Sequence, residues 1–127
     1  MQEKKKKLFG VWMDTQNASI VGFESPESEK LSQIGHVQNE GGEPNSSEHS
    51  ANNQEITQTT KYFKKIAELM PNIDEIHVTG TGQIQEQFIK FLSNTAQYKN
   101  VESTESTANK MSDENLILYI SKHFKLS

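Results

Sequence analysis

Short apolar runs separated by polar turns make up the first part of the chain. Leu8–Met13 is apolar throughout and predicts a central strand, while Ala18–Phe23 is rich in β-branched and aromatic residues and predicts a second strand. Asp14–Asn17 lies between them and has turn chemistry, so we expect an antiparallel hairpin. Lys30–Val37 has spaced apolar residues and predicts a weaker third strand at the sheet edge.

Apolar residues almost vanish between His36 and Glu55. The segment Gln38–Glu55 is instead rich in glycine, asparagine and serine, so it has little to bury and is predicted to be a mobile loop. Loops of this length inside a compact domain are uncommon and are often functional or disordered. This loop is therefore the first place in the chain where we expect function.

A helical period replaces the strand pattern from Ile56 onward. Apolar residues recur on one helical face as far as Met70, and Pro71 ends the predicted helix. Glu75–Thr79 then alternates at period two and predicts a buried fourth strand.

Two glycines, Gly80 and Gly82, follow that strand and are expected to supply backbone freedom where the chain turns into the next helix, from about Gln83. Lys99–Ser103 predicts a polar fifth strand at an edge. Ser112 is a suitable N-cap for a last helix. That helix has an apolar stripe of Leu116, Ile117, Ile120 and Phe124.

The predicted order of elements is β-β-β-α-β-α-β-α, with the long polar loop before the first helix. Three strands joined by hairpins, followed by alternating helices and strands, indicate a mixed sheet with helices on both faces. This is the plan of a ribonuclease H-like, three-layer α/β domain. We expect one domain over residues 8–127, preceded by a basic arm over residues 1–7.

Composition narrows the possible functions. The 127 residues include no cysteine, which excludes disulfides and thiolate chemistry, and the net charge of −4 argues against a generally basic nucleic-acid binder. All of the positive charge is lysine, and its one concentration is the run Lys4, Lys5, Lys6 and Lys7. No run is apolar enough for a membrane span, so a cytoplasmic protein without a membrane partner is expected. No oligomeric state is assigned.

The sequence offers two incomplete catalytic patterns. Asp14 follows the first strand, where a two-metal nuclease would place a carboxylate, but the fourth strand ends in Thr79 and Thr81 rather than in an acid. A turn role for Asp14 is therefore favoured. Gly80-Thr81-Gly82 matches neither a dinucleotide fingerprint nor a P-loop, so turn packing is favoured over phosphate binding. The four histidines lack metal-ligand spacing, and we expect neither a metal nor a cofactor.

Three segments together resemble the central domain of archaeal and eukaryotic class-1 peptide release factors and of pelota. They are the hairpin Val11–Phe23, the helix segment Thr60–Met70 and the strand-turn-helix segment Ile76–Leu92, in which Thr81 replaces the proline of a G-P-G turn. Small stand-alone bacterial proteins of this type, labelled translational-machinery or host-attachment-like, are similar in length. The resemblance implies association with the translation machinery.

In the release factors, a Gly-Gly-Gln motif in a long loop before the first helix promotes hydrolysis of peptidyl-tRNA. Gly41, Gly42 and Glu43 occupy a similar place here, but glutamate replaces the glutamine and the neighbouring residues are acidic rather than basic. The resemblance thus implies a non-enzymatic domain that contacts the ribosome, tRNA or a protein partner through Lys4–Lys7 and the loop. Two alternatives stay open: a hydrolase (a nuclease using Asp14 or a peptidyl-tRNA esterase using Glu43), and a protein-interaction module unrelated to nucleic acid.

Overall fold

The computed structural model describes residues 7–23, 30–39 and 51–125, with the backbone alone for residues 51–58. Eight elements occur in the predicted order. They are β1 (Leu8–Met13), β2 (Asn17–Gly22), β3 (Ser32–Gln38), α1 (Ala51–Glu68), β4 (Glu75–Gly80), α2 (Ile84–Ser93), β5 (Glu102–Thr107) and α3 (Asp113–His123).

The five strands form one mixed sheet in the order β3-β2-β1-β4-β5. The hairpin prediction is confirmed, since β1 and β2 pair antiparallel, with Phe9 opposite Gly22 and Met13 opposite Ala18. β4 pairs parallel with β1, and β5 pairs parallel with β4. The apolar β1 is therefore at the centre, and the polar β3 and β5 lie at the edges, as their composition predicts.

Helices cover both faces of the sheet, which confirms the three-layer α/β prediction. On one face, side chains of α1 and α2 pack on the odd-numbered residues of β1 and the even-numbered residues of β4. The largest fully buried side chains of this core are Tyr62, Phe88, Met13, Ile20, Ile66, Met70, Ile76 and Leu92.

The opposite face has a smaller core beneath α3. Leu116 and Ile120 of α3 are buried against Trp12 and Val21. Gly10 leaves room for the helix, because a Cβ atom there would lie 2.4 Å from the Ile120 side chain. Ser112 caps α3 as predicted, since its hydroxyl accepts a hydrogen bond from the Asn115 backbone N–H at 3.2 Å.

The bounds of the polar loop and of the fifth strand differ from the sequence prediction. Gln38 belongs to β3 and α1 begins at Ala51, so the predicted loop Gln38–Glu55 is shorter at both ends. The fifth strand runs over Glu102–Thr107 instead of Lys99–Ser103, because Glu102 pairs with Glu75 at the start of β4 and the ladder continues to Thr107. β5 has no apolar residue to mark its position, so its partner strand determines where it lies.

Candidate functional site

Asp14 directly follows β1 and shapes the β1–β2 turn. Its carboxylate oxygen Oδ1 accepts hydrogen bonds from the backbone N–H groups of Gln16 (2.8 Å) and Asn17 (2.6 Å). Its own N–H donates to the carbonyl oxygen of Asn17 at 2.9 Å. A side-chain acceptor that bonds the backbone two and three residues ahead is what an Asx turn requires. The turn role predicted for Asp14 is confirmed.

Tyr62 joins α1 to this turn. Its hydroxyl donates to the backbone carbonyl of Asp14 at 2.9 Å, and the residue is buried. Burial, and secondarily the charge of Asp14, raise the pKa of Tyr62 above its ordinary value. The hydroxyl therefore remains a protonated donor, and it fixes the start of the β1–β2 turn against α1.

The end of β4 is next to Asp14 and carries no acid. Thr79 and Thr81 stand where a two-metal nuclease would need a second carboxylate. Within residues 7–23, 30–39 and 51–125, no group of three or more histidine, aspartate or glutamate side chains is placed to hold a metal ion. A nuclease role for Asp14 stays an untested prediction.

Gly80 and Gly82 differ from each other in what the structure requires of them. No glycine in the described ranges has a positive φ, so the prediction that both supply unusual backbone freedom was wrong. Gly80 is needed for a close approach instead, since a Cβ atom there would lie 2.1 Å from the carbonyl oxygen of Met13. A Cβ atom at Gly82 would meet open space. The glycine at position 80 thus lets β4 end beside β1.

A polar network lies under α3, on the sheet face formed by β4 and β5. His77 is only 4% exposed, and both ring nitrogens have hydroxyl partners. Nδ1 is 2.8 Å from Thr104 Oγ1, and Nε2 is 2.9 Å from Ser106 Oγ. His77 therefore faces the side of the sheet that α3 covers. A buried imidazole with both nitrogens bonded is fully satisfied.

Ser106 is the centre of this network. Besides its contact with His77, its hydroxyl donates to Thr79 Oγ1 at 2.9 Å and lies 2.6 Å from the Tyr119 hydroxyl. A hydroxyl has one proton to donate and two lone pairs to accept with, so three partners saturate Ser106. A saturated hydroxyl is a poor nucleophile, and the arrangement is that of a structural bridge from β4 to β5 and α3.

His123 completes the network from α3. Its ring stacks on His77 with centroids 3.8 Å apart, and its Nε2 is 3.2 Å from Thr104 Oγ1. Burial, and secondarily the neighbouring His123, lower the pKa of His77 to about 4. His77 is therefore neutral at pH 7. The network anchors α3 to the polar edge of the sheet.

Sequence reasoning missed this network. Its members lie on three separate elements, and Ser106 is 29 positions from its partner His77. One signal could have found it. Polar residues alternate on β4 (His77, Thr79) and on β5 (Thr104, Ser106), so each strand presents polar side chains on the same face.

Of the predicted binding residues, the structure describes Lys7 alone. Lys4–Lys6, Gly41, Gly42 and Glu43 lie outside the described residues. Lys7 is described: its side chain is exposed, and its backbone N–H donates to Asp74 Oδ2 at 2.7 Å. The structure does not bring Lys7 near Asp14, since the whole of β1 separates them.

The polar loop starts beside Asp14. The N–H of Asn39 donates to the carbonyl oxygen of Gln16 at 2.7 Å, and the Asn39 side chain donates to the carbonyl oxygen of Thr15 at 3.0 Å. β1 has six residues, so Lys7 and Asp14, which flank it, lie about 20 Å apart.

No described helix has both the length and the apolar character needed to cross a membrane.

No protein-family model matches the chain, and no curated protein sequence matches it. Solved structures do match. Pelota from Thermoplasma acidophilum aligns with a TM-score of 0.58 and 18% identity, over 96% of this chain and 34% of that one. The archaeal translation termination factor aRF1 aligns with a TM-score of 0.51 and 13% identity, over 94% and 40%. Archaeal Pelota in a ribosome-bound assembly with ABCE1 aligns with a TM-score of 0.57 and 16% identity, over 96% and 33%.

This chain therefore spans about a third of the Pelota chains and two fifths of aRF1. At these identities the similarity is one of fold. Nearly the whole chain has the three-layer α/β fold found in a domain-sized part of Pelota and of aRF1.

Proposed function

We propose that this chain is a release-factor-like domain that associates with the translation machinery in the cytoplasm, on the ribosome or on its tRNA. The proposal rests mainly on one observation: 96% of the chain aligns with an archaeal Pelota in a ribosome-bound assembly. The termination factor aRF1 shares the same fold, which supports a role in translation over an unrelated binding role.

The proposed contact elements are the basic arm Lys4–Lys7 and the polar loop that contains Gly41, Gly42 and Glu43. The described residues next to them, Lys7 and Asn39, lie toward opposite ends of β1, which spans about 20 Å, and this spacing suits an extended RNA surface. Because the basic charge is lysine throughout, the arm contacts phosphates as point charges and adds affinity without reading sequence.

The proposed role is binding without catalysis. Asp14 uses its carboxylate to form the β1–β2 turn, and Ser106 uses its hydroxyl to hold three neighbours. Both side chains are thereby accounted for by structural contacts. Glu43 replaces the glutamine that the release-factor motif carries, which supports binding rather than peptide release.

Co-sedimentation with purified ribosomes tests the proposal. We expect the full chain to pellet with ribosomes at low salt and to dissociate as salt rises, because phosphate contacts release counterions. Replacing Lys4–Lys7 together with glutamine is expected to weaken binding. Lys7→Gln leaves the backbone bond to Asp74 intact, so the fold is kept.

A matched control replaces four exposed lysines outside the arm with glutamine: Lys61, Lys64, Lys90 and Lys99. This variant has the same net charge as the arm variant, and it is expected to bind ribosomes nearly as the unmodified chain does. Equal loss of binding in both variants would show that the arm has no specific role. Absence of the unmodified chain from ribosomal fractions at low salt would refute the proposed function.

A further inference from the structure

β5 forms one edge of the sheet, and one side of its backbone is open. In the part of the chain that the structure describes, it pairs only with β4. The N–H of Glu102 donates to the carbonyl oxygen of Asp74 at 3.1 Å, and the N–H of Ala108 donates to that of Gly80 at 2.8 Å. Backbone groups of successive residues point to alternate sides of a strand, so the even-numbered residues of β5 face β4. The N–H and C=O groups that face the open side belong to Ser103, Glu105 and Thr107.

The edge at β5 is regular, unlike the edge at the other end of the sheet. β5 pairs with β4 at each position from Glu102 to Thr107 without a shift in register. The pairing of the other edge strand, β3, with β2 shifts in register between Ile20 and Val21. Bulges, prolines and lysines commonly keep an edge strand from pairing with another chain, and β5 has none of these. Its backbone can therefore accept a further strand.

A groove of about 470 Å³ lies beside this edge, between Glu105 and the outer side of α2. Thr104 and Ser106 contact His77 on the α3 side of the sheet, so the side chain of Glu105 is on the α2 side. The side chains of a strand added to β5 would alternate in the same way. Every second side chain of that strand would point toward the α2 side, where the groove lies.

The groove carries more negative than positive charge. Glu86 and Glu105 contribute two carboxylates to it, and Lys90 contributes one ammonium group. None of these three side chains forms an ion pair with another described residue. A basic side chain in the groove would therefore meet unpaired carboxylates, and the partly buried Ile89 would contact its aliphatic stem. The same carboxylates would repel RNA phosphates, so the groove favours a basic protein segment over RNA.

We infer that β5 binds an extended, lysine- or arginine-containing segment of a partner protein, which adds to the five-stranded sheet and places a basic side chain in the groove. In this mode of recognition the backbone hydrogen bonds supply affinity and the pockets for alternate side chains supply specificity. A second copy of this chain is disfavoured as the occupant, because pairing β5 with itself would bring two acidic grooves together. This protein contact goes beyond the proposed RNA contacts and does not depend on them.

Amide hydrogen exchange, measured by NMR on the isotope-labelled full chain, tests the inference directly. The probe is the synthetic peptide Thr-Lys-Val-Lys-Val-Lys-Thr with blocked ends, and a second peptide has glutamate in place of each lysine. We expect the lysine peptide to protect the amides of Ser103, Glu105 and Thr107 saturably. The amides of Thr104 and Ser106 face β4 and are expected to change little. The glutamate peptide is expected to bind more weakly.

Two variants separate the charge of the site from its backbone. Glu105→Gln removes one carboxylate of the groove and is expected to weaken binding of the lysine peptide about two- to fivefold, the effect of one cross-strand charge pair. Ser103→Pro removes an N–H on the open side and no bond to β4, so it is expected to weaken binding without unfolding the sheet. Circular dichroism verifies that each variant is folded.

Glu114→Gln is the matched control for charge. Glu114 is exposed at the start of α3, and its neighbour Asp113 contacts His36 on β3, at the opposite edge of the sheet. This variant is expected to bind the lysine peptide as the unmodified chain does. Equal weakening by Glu105→Gln and Glu114→Gln would overturn the inference.

Three further outcomes would also overturn the inference. The first is no saturable protection of the open-side amides at millimolar lysine peptide, and the second is equal binding of the lysine and glutamate peptides. The third is protection of the same amides that rises with the concentration of the chain alone, which would assign the edge to a second copy. Co-sedimentation with ribosomes in any of these cases would leave the proposed function standing.

Discussion

The imidazole ring of His77 on β4 stacks on that of His123 on α3, with the ring centroids 3.8 Å apart. The two rings differ in environment, since His77 is buried and His123 is exposed. Thr104 contacts both, at 2.8 Å from His77 Nδ1 and 3.2 Å from His123 Nε2. Protonation of His77 would place a charge in a buried site against a second histidine. The packing of α3 on the sheet therefore depends on His77 remaining neutral.

Stability is expected to fall as the pH is lowered through the range from about 6.5 to 4. The pKa of folded His77 is about 4, below its ordinary value of 6.5. In that window the unfolded chain binds a proton that the folded chain does not, so acid favours unfolding. Between pH 7 and pH 5, protonation of His77 alone is expected to lower the free energy of unfolding by about 2 kcal/mol.

Urea unfolding at both pH values measures this effect, with His77→Gln as the reference. The variant has lost the titrating group but keeps the carboxylates and the other histidines. We therefore expect the unmodified chain to lose about 2 kcal/mol more than the variant between pH 7 and pH 5. The same loss in both proteins would contradict the assignment of a neutral, buried His77.

Ser106→Ala is expected to destabilise the fold by about 1–3 kcal/mol, because Thr79, His77 and Tyr119 each lose a hydrogen-bond partner in a partly buried network. Ser103→Ala is the matched control, since Ser103 lies on the same strand but faces the opposite side of the sheet. The control is expected to change stability by no more than about 0.5 kcal/mol. Equal effects in thermal unfolding would show that the network does not stabilise α3.

Gly80→Ala and Gly82→Ala are expected to change the free energy of unfolding in opposite directions. At Gly80 the new methyl group would overlap the carbonyl oxygen of Met13, so β4 must shift from β1 at a cost of roughly 1–3 kcal/mol. At Gly82 the methyl group meets open space and φ is not positive, so a gain of about 0.4–1 kcal/mol is expected. Chemical denaturation measures both. A stable Gly80→Ala protein would disprove the close approach.

Two substitutions at Asp14 distinguish a structural role of this residue from a catalytic one. Asp14→Asn keeps an acceptor oxygen for the N–H groups of Gln16 and Asn17, whereas Asp14→Ala removes it. We expect a stability loss of about 1–2 kcal/mol for the alanine variant and a smaller one for asparagine. RNA cleavage by the unmodified chain in Mg²⁺, abolished equally by both substitutions, would contradict the turn assignment and support a nuclease.

Much of the fold could be predicted because local signals and tertiary structure agree. The apolar run Leu8–Met13 forms the central strand, and Ser112 caps α3 as its chemistry predicts. β5 could not be placed from its own residues, since the sequence ESTEST has no apolar pattern and its register comes from β4. The α1 start at Ala51 was missed for a similar reason, because its first turn is polar.

The sites were harder to predict than the fold. The turn role of Asp14 is local and could be read from its spacing to Asn17. The network of His77, Ser106 and Tyr119 depends on three elements meeting on one sheet face, which no local pattern encodes.

Cryo-electron microscopy of purified ribosomes mixed with the full chain at low salt would show whether and how the domain binds. We expect density for the five-stranded domain on the ribosome, with the ends of β1 at Lys7 and Asp14 both facing RNA, about 20 Å apart. Ribosomes without density for the chain, or a domain that contacts them only through the outer surface of α2, would contradict it.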